Sequence, residues 1–248
     1  MLNELQEPTE EIYTELRKAY KFFNERLFDN QLPGCMFTLQ RKQNTFGFYS
    51  KSRFVRRDAS GKADEIALNP AFFAFRSVEK TLSTLVHEMV HQWQKNFGKP
   101  TRSGYHNKEW AAKMESVGLM PSHTGEPGGR RVGQQMTHYI IDAGPFQTVC
   151  AAPELAVMIS WVDVAAKKVP ASLTAVQAQG EGGDDPPNLA ALTELGLSTV
   201  EPGTEKKVKI KYTCPACEVN VWGKPELHIR CGDCDVEFVD KPKKTEKD

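Results

Sequence analysis

The stretch from Val78 to Asn96 constrains the fold more than any other because its apolar residues recur at helical spacing. The apolar face consists of Leu82, Leu85, Val86, Met89, Val90 and Trp93. Within it, the sequence His87-Glu88-Met89-Val90-His91 places two histidines four residues apart. Residues at that spacing project from one face of a helix, so both imidazoles can reach a single metal ion.

Segments around this helix predict a mixed α+β fold, because predicted strands are followed by predicted helices. A second amphipathic helix is predicted over Glu10 to Leu27 and a third over Asn107 to Val117. Strands are predicted at Met36–Gln40 and Thr45–Tyr49, joined by a polar turn, and at Glu65–Leu68. Further along, residues 136–141 indicate a strand, and residues 159–166 a buried strand or helix.

Charge is unevenly distributed, although 32 basic residues balance 32 acidic ones. Residues 181–205 hold six acids and no base among glycines and prolines, a composition that cannot bury enough apolar surface to fold alone. We therefore predict a main domain at 1–168, a linker at 169–206 and a small module at 207–240. A short helix is expected within the linker at 189–197, and a flexible tail at 241–248.

The sequence predicts a cytoplasmic location. No apolar run approaches the roughly 18 residues that a membrane helix needs, and the acidic N-terminus lacks the apolar region of a signal peptide. In a reducing compartment, closely paired cysteines bind metal more often than they form disulfides. A net charge of zero gives no global attraction to nucleic acid, so any such binding must depend on local patches.

The His87–His91 segment has the HExxH arrangement of zinc metalloproteases, in which Glu88 would transfer protons. The competing interpretation is a chance pair of surface histidines. Zinc in a catalytic site takes three protein ligands, so a third must exist. Phe97 occupies the position at which metzincins have a histidine, which excludes that subclass. His106 and Glu115 remain as candidates, and His106 is favoured because imidazole nitrogen suits zinc.

The sequence resembles the SprT-like metalloprotease family, which includes the Spartan protease of DNA–protein crosslinks. The resemblance covers about residues 10–121 and is carried by HEMVHQWQ, by GYHNKEWAAKMESVGLMP and by the flanking FGFYS and IALNP. It implies a minimal zincin fold and zinc-dependent peptide hydrolysis. The matching positions are His87, His91 and His106 for the zinc ligands, Glu88 for the catalytic carboxylate and Trp110 for an aromatic residue.

Two further features of the active site stay open at this level. An oxyanion stabiliser is expected, for which Tyr105, Arg130 and His138 are candidates that spacing cannot separate. The Gly- and Pro-rich segment from Pro121 to Met136 follows the predicted ligand helix and is expected to close one side of the active site.

Near the C-terminus, two CxxC pairs stand thirteen residues apart and have the spacing of a zinc ribbon. The predicted ligands of this second, structural zinc are Cys214, Cys217, Cys231 and Cys234. Redox dithiols are the weaker alternative, because no βαβ pattern surrounds them. Cys35 and Cys150 stand alone and are expected to be buried small apolar residues.

Basic residues near aromatics provide candidates for nucleic-acid contact. Residues 41–62 carry seven basic residues and one acid, a local excess able to contact several phosphates. The candidates are Arg41, Lys42, Arg53, Arg56, Arg57, Lys209, Lys211 and Trp222. A solvated hairpin explains the first group equally well, and the acids of the C-terminal module nearly cancel its positive charge.

Together these patterns predict a zinc-dependent metalloendopeptidase with one catalytic and one structural Zn²⁺. Protein is the predicted substrate, DNA-associated proteins are the expected class, and DNA is a further expected partner through the resemblance. Two rivals remain: a non-catalytic zinc protein that binds nucleic acid or protein, and a toxin-like peptidase with one specific target.

Overall fold

The computed structural model describes residues 7–42, 45–163 and 209–240. The chain divides into two compact units, Met1–Val200 and Glu201–Asp248. The predicted boundaries at 168 and 206 stay predictions, because residues 164–208 lie outside the described part of the chain. The same holds for the short helix expected at 189–197 and for the tail at 241–248.

Four α-helices are described in the first unit, and the predicted ones are confirmed to within a few residues. They are α1 (Pro8–Leu27), α2 (Val78–Phe97), α3 (Lys108–Ser116) and α4 (Pro145–Cys150), with a 3₁₀ turn at Pro70–Phe72. Side chains cap the N-termini of α2 and α3. Ser77 accepts a hydrogen bond from the amide of Lys80 at the start of α2, and Asn107 accepts one from Trp110 at the start of α3.

A three-stranded sheet lies beside these helices in the order β1-β3-β2. The strands are β1 (Cys35–Leu39), β2 (Gly47–Val55) and β3 (Lys62–Leu68). β1 runs parallel to β3 and β2 runs antiparallel to it. β1 and β2 are consecutive, as predicted, but do not pair. The central place goes to β3, which is buried from Asp64 to Leu68, whereas polar residues of β2 face solvent.

A two-stranded sheet follows α3 and consists of β4 (Leu119–Ser122) and β5 (Thr137–Ile140), which pair antiparallel. β5 lies where a strand was predicted. The expectation for residues 159–166 was wrong for its described part: residues 159–163 form neither helix nor strand. This segment is fixed to α1 instead, since the amide of Ser160 donates to Glu15 at 2.9 Å and the Ile159 side chain is buried.

The core of the first unit is a single large apolar cluster formed by the helices, the sheet and the segment after α4. Its largest fully buried side chains include Trp110, Phe23, Phe28 and Phe146. Phe23 of α1 stacks on Phe146 of α4, with 5.6 Å between ring centroids. Among the helices of the described residues, none combines the length and the hydropathy that a membrane-spanning segment needs.

A buried carboxylate, Asp64, joins the sheet to α2. Burial by itself would raise the pKa of this carboxyl group. Four hydrogen-bond donors surround it, however: the backbone amide of Ser52 at 2.7 Å, the Tyr49 hydroxyl at 2.8 Å, and the side-chain amides of Gln92 at 3.3 Å and Asn96 at 3.5 Å. These hydrogen bonds favour the ionised form, so the pKa of Asp64 lies below its ordinary value.

The second unit contains β6 (Ile210–Thr213), β7 (Asn220–Gly223) and β8 (Val239–Asp240), in the antiparallel order β7-β6-β8. Its buried cluster is small and consists of Tyr212, Cys214, Cys231 and Phe238. The chain as a whole is thus of mixed α/β class with small sheets, which agrees with the predicted class at that level.

Candidate metal centres

Three histidines of the first unit converge on one point. His87, His91 and His106 each offer a ring nitrogen, and these atoms lie within 4.8 Å of one another. The Nε2 atoms of His91 and His106 are 3.1 Å apart. His87 and His106 are buried, and His91 is partly exposed. The three rings could therefore hold one metal ion.

Two different devices position these rings. His87 and His91 lie one turn apart on α2, as their spacing predicts. His106 lies just before the cap of α3, and its backbone pairs with Gly133: the His106 amide donates to the Gly133 carbonyl at 2.8 Å, and the reverse bond is 3.0 Å. Gly133 belongs to the segment from Pro121 to Met136. That segment thus contacts a candidate ligand, and its role in closing the site stays a prediction.

The alternative third ligand, Glu115, has another partner. Its carboxylate accepts a hydrogen bond from Arg131, and about half of its side chain is exposed. Among the described residues, its carboxylate does not join the three histidines or the four cysteines in a cluster that could hold a metal ion. The structure therefore brings His106, and not Glu115, to the two histidines of α2.

Trp110 forms a platform beneath all three rings. Its centroid lies 5.0 Å from that of His87, 5.3 Å from His91 and 4.3 Å from His106. The indole is fully buried, and its Nε1 has no hydrogen-bond partner in the described part of the chain. From the sequence, Trp110 was predicted only to match an aromatic residue of the family. In the structure it contacts all three candidate ligands directly.

Burial keeps the three imidazoles neutral. Desolvation, reinforced by the neighbouring histidines, lowers the pKa of His87 well below its usual value. Burial lowers the pKa of His91 to about 3 and also lowers that of His106, where the Gly133 carbonyl opposes the shift. A neutral ring keeps one nitrogen lone pair, which is the form that binds metal.

Glu88 follows His87 directly on α2 and is 5% exposed. Burial raises the pKa of its carboxyl group to about 8, and the positive charge of Lys42 opposes that shift. A carboxyl group with a pKa near neutrality can both accept and return a proton, which general acid–base catalysis requires. Lys42 was predicted as a nucleic-acid contact; the structure brings its charge within electrostatic reach of Glu88.

The three candidate oxyanion stabilisers differ in their surroundings. His138 of β5 already contacts a candidate ligand, since its Nδ1 lies 3.1 Å from Nδ1 of His87. Tyr105 precedes His106 and is partly buried, with the guanidinium of Arg102 5.1 Å from its ring centroid. Arg130 has an exposed side chain. None of these contacts tests the oxyanion role, which stays a prediction for all three residues.

The second candidate centre lies in the C-terminal unit. The thiols of Cys214, Cys217, Cys231 and Cys234 lie within 4.8 Å of one another, and all four cysteines are free. The two pairs are formed by the same turn: the amide of Cys214 donates to Val219 at 2.9 Å, and that of Cys231 to Val236 at 2.8 Å. This group could also bind a metal ion.

Each turn ends on a residue with positive φ, Glu218 at 60° and Asp235 at 54°. In each turn the amide of that residue donates at 2.9 Å to the carbonyl of the first cysteine. In the first turn, the amides of Cys217 and Ala216 also lower the pKa of the Cys214 thiol to about 7. The sequence repeat Cys-x-x-Cys-acid-Val is the local signal for this pair of turns.

The predicted nucleic-acid contacts are exposed, but several are engaged with acids. Arg41 binds Asp163 at 2.5 Å, Arg56 lies 3.5 Å from Asp58, and Arg53 lies 4.0 Å from Glu65. Arg57 and Lys209 are exposed. In the second unit, Lys211 lies opposite Trp222 across β6 and β7, with its Nζ 5.9 Å from the indole centroid. Because acidic side chains lie beside three of these arginines, the net positive charge around residues 41–62 is smaller than the number of basic residues suggests.

Sequence reasoning missed two contacts of this site. The Oγ atom of Ser83 lies 2.9 Å from Nε2 of His138. Ser83 lies four residues before His87, so helical spacing already puts both on one face of α2. Gly133 holds His106 from 27 residues away, and no local pattern could have identified it.

The SprT-like family model matches residues 16–136, which include the three histidines and Glu88. The chain is also similar to a protein of Salmonella typhimurium described as an uncharacterized protein in the mucB 3′ region. The two are 54% identical over 59 residues, which are 24% of this chain and 80% of that protein. A search of the solved structures finds no match. The family match on the segment that carries the histidine centre shows that this chain belongs to the SprT-like family.

Proposed function

We propose that this protein is a zinc-dependent metalloendopeptidase with a minimal zincin fold, in which His87, His91 and His106 hold the catalytic zinc. The observation that carries the proposal is the convergence of three ring nitrogens within 4.8 Å beside the buried carboxyl group of Glu88. Family membership supports a metallopeptidase-type domain in general.

The two donor sets fit two different roles of zinc. Three neutral imidazoles leave one coordination position open, which is typical of a catalytic site. Four thiolates close the coordination sphere, which is typical of a structural site, so we assign the cysteine group to a zinc ribbon. Free thiols are available as ligands in a reducing compartment, which fits the cytoplasmic location predicted from the sequence.

When bound, zinc would polarise the scissile carbonyl and lower the pKa of a water molecule. Glu88 takes one proton from the attacking water while the water oxygen bonds to the carbonyl carbon. Glu88 then delivers that proton to the peptide nitrogen as the C–N bond breaks. Burial of Glu88 and the opposing charge of Lys42 suit its carboxyl group to both transfers. Trp110 keeps the three rings together from beneath.

DNA-associated proteins are the substrate class that we propose, and this step depends on the family resemblance. Exposed arginines along β2 and its following turn, together with the Lys211–Trp222 pair, are compatible with phosphate contact and base stacking. DNA would then bring crosslinked or bound proteins to the peptidase.

The test measures how fast the full chain hydrolyses a DNA-binding protein, in the presence and in the absence of single-stranded DNA. We expect Glu88→Gln to lower the rate by about 10²–10⁴-fold without loss of zinc, because only proton transfer is removed. Glu115→Gln is the matched control, since that carboxylate is bound to Arg131, and it should leave the rate unchanged.

Equal and measurable rates for wild type and Glu88→Gln would contradict the catalytic assignment. Zinc binding without any hydrolysis would favour the non-catalytic alternative. Hydrolysis of one specific protein only, indifferent to DNA, would contradict the proposed substrate class and favour the toxin-like one.

A further inference from the structure

A chain of three side chains leads from the backbone of α2 to a candidate metal ligand. The Ser83 hydroxyl donates to the Lys80 carbonyl at 2.9 Å. The same Oγ lies 2.9 Å from Nε2 of His138. Nδ1 of His138 in turn lies 3.1 Å from Nδ1 of His87. β5 supplies His138, and α2 supplies the other residues of this relay.

The relay has a direction. A hydroxyl group has one proton, and that of Ser83 is donated to a carbonyl oxygen, which can only accept. Ser83 must therefore accept from His138, so the proton of the His138 ring is on Nε2. Its Nδ1 then carries a lone pair and accepts from Nδ1–H of His87. The remaining nitrogen of His87, Nε2, is left with a lone pair and no proton.

We infer that His138 is a positioning residue that holds His87 in its metal-binding tautomer, with the Ser83 hydroxyl fixing the direction of the relay. This inference rests on the proposed function, because it concerns a ligand of the proposed catalytic zinc. It also reassigns His138: its Nδ1 is used on the side of His87 away from the coordinating nitrogen, so we remove it from the oxyanion candidates.

The alternative proton arrangement is chemically complete and makes the inference testable. If Ser83 donated to His138, the proton of that ring would be on Nδ1, and His87 would carry its proton on Nε2. His87 could then bind a metal only after a change of tautomer. The bond from Ser83 to the Lys80 carbonyl is what separates the two arrangements.

The first experiment reads the tautomers directly in the full chain. Long-range ¹H–¹⁵N spectra of the histidines, recorded on protein whose histidine centre is metal-free, should show His138 as the Nε2–H tautomer and His87 as the Nδ1–H tautomer. Single histidine substitutions assign the signals. His87 found as the Nε2–H tautomer would overturn the inference, whatever the peptidase activity.

The second experiment measures zinc affinity by chelator competition. Loss of an outer-shell partner typically costs 10–100-fold in metal affinity. We expect a loss of about that size in His138→Leu, partial recovery in His138→Asn, whose amide oxygen can accept from His87, and a smaller loss in Ser83→Ala. Ser116→Ala is the matched control, because Ser116 makes the same type of bond to the Lys113 carbonyl, at 2.7 Å, on α3.

The outcomes separate the inference from the function on which it rests. Unchanged affinity of the histidine centre in both His138→Leu and Ser83→Ala would overturn the relay and leave the peptidase assignment intact. A wild-type chain that binds zinc only at its cysteines would contradict the proposed function. If His138→Leu does not fold, Ser83→Ala and the tautomer spectra still decide.

Discussion

The two candidate metal centres stand in opposite relations to the structure around them. The histidine centre is built onto a large apolar core in which Phe23, Trp110 and Phe146 are fully buried. In the cysteine centre, two of the four buried core residues are themselves candidate ligands, Cys214 and Cys231. The first unit therefore holds its shape by apolar burial and can offer a prearranged site, whereas we expect the second unit to need a bound metal ion in order to fold.

The comparison also explains the difference in donors. If the histidine centre is catalytic, as we propose, it must leave one coordination position open, and its rings then need support other than the metal. Trp110 contacts the rings and Gly133 pairs with His106, so both can give that support. If the cysteine centre serves only to fold a small module, as we also propose, it can use every ligand position for that purpose. Metal removal and ligand substitution should therefore act differently on the two units.

The largest expected effect is on the second unit. Cys214→Ser should unfold residues 209–240, because structural zinc contributes about 10–16 kcal/mol of apparent binding free energy to modules of this kind. NMR spectra of the full chain should lose the dispersed signals of β6 and β7 and keep those of the first unit. Cys150→Ser, which replaces a cysteine outside both groups, is the control and should retain both zinc ions. A folded second unit in Cys214→Ser would break the comparison.

Next in size is the loss of the third histidine. His106→Ala should bind one zinc ion fewer per chain, with a loss of affinity greater than the roughly 100-fold typical of outer-shell partners. Native mass spectrometry measures the stoichiometry. We expect the first unit to stay folded, since its core does not depend on the metal. Glu115→Gln should keep the full stoichiometry; if it loses zinc instead, Glu115 is the third ligand.

A smaller effect is expected on the stability of the metal-free first unit when Asp64 is replaced. The Asp64 carboxylate only accepts hydrogen bonds, and its neighbours all donate to it. In Asp64→Asn, one carboxylate oxygen becomes an NH₂ group that cannot accept from those donors. The substitution should cost about 1–3 kcal/mol at pH 7, the range for buried polar groups left unpaired. Chemical unfolding of the metal-free protein measures this cost.

The effect should also depend on pH. The folded pKa of Asp64 is below the unfolded value of about 4, so its stabilisation is complete above that value and is lost as pH falls through the folded pKa. The difference between wild type and Asp64→Asn should thus shrink in acid. A difference that grows as pH falls would contradict the assigned sign.

The last effect, of similar size to that at Asp64, concerns the surface of the second unit. If Trp222 stacks on bases, Trp222→Ala should weaken binding to single-stranded DNA by about 1–3 kcal/mol. Fluorescence anisotropy at fixed salt measures it. Trp161→Ala is the control, an exposed tryptophan of the first unit that donates to Glu11 at 2.7 Å. Equal affinity of wild type and Trp222→Ala would remove this residue from the candidate contacts.

Local features of both centres were predictable because short-range geometry decides them. Helical period alone puts His87 and His91 on one face, and the CxxC spacing alone forms each cysteine turn. Strand positions were also predictable, but their pairing was not. β1 and β2 follow one another in sequence, yet β3 separates them, because the order of strands depends on which strand is buried on both faces.

The residues by themselves determined the family, the helix that carries two of the proposed ligands, and the four cysteines of the second centre. Only the tertiary structure decided which of His106 and Glu115 approaches that helix, and that His138 lies against His87. The physical reason is distance along the chain. A period of 3.6 residues specifies neighbours within a few turns, whereas His138 reaches His87 across 51 residues only through the packing of β5 against α2.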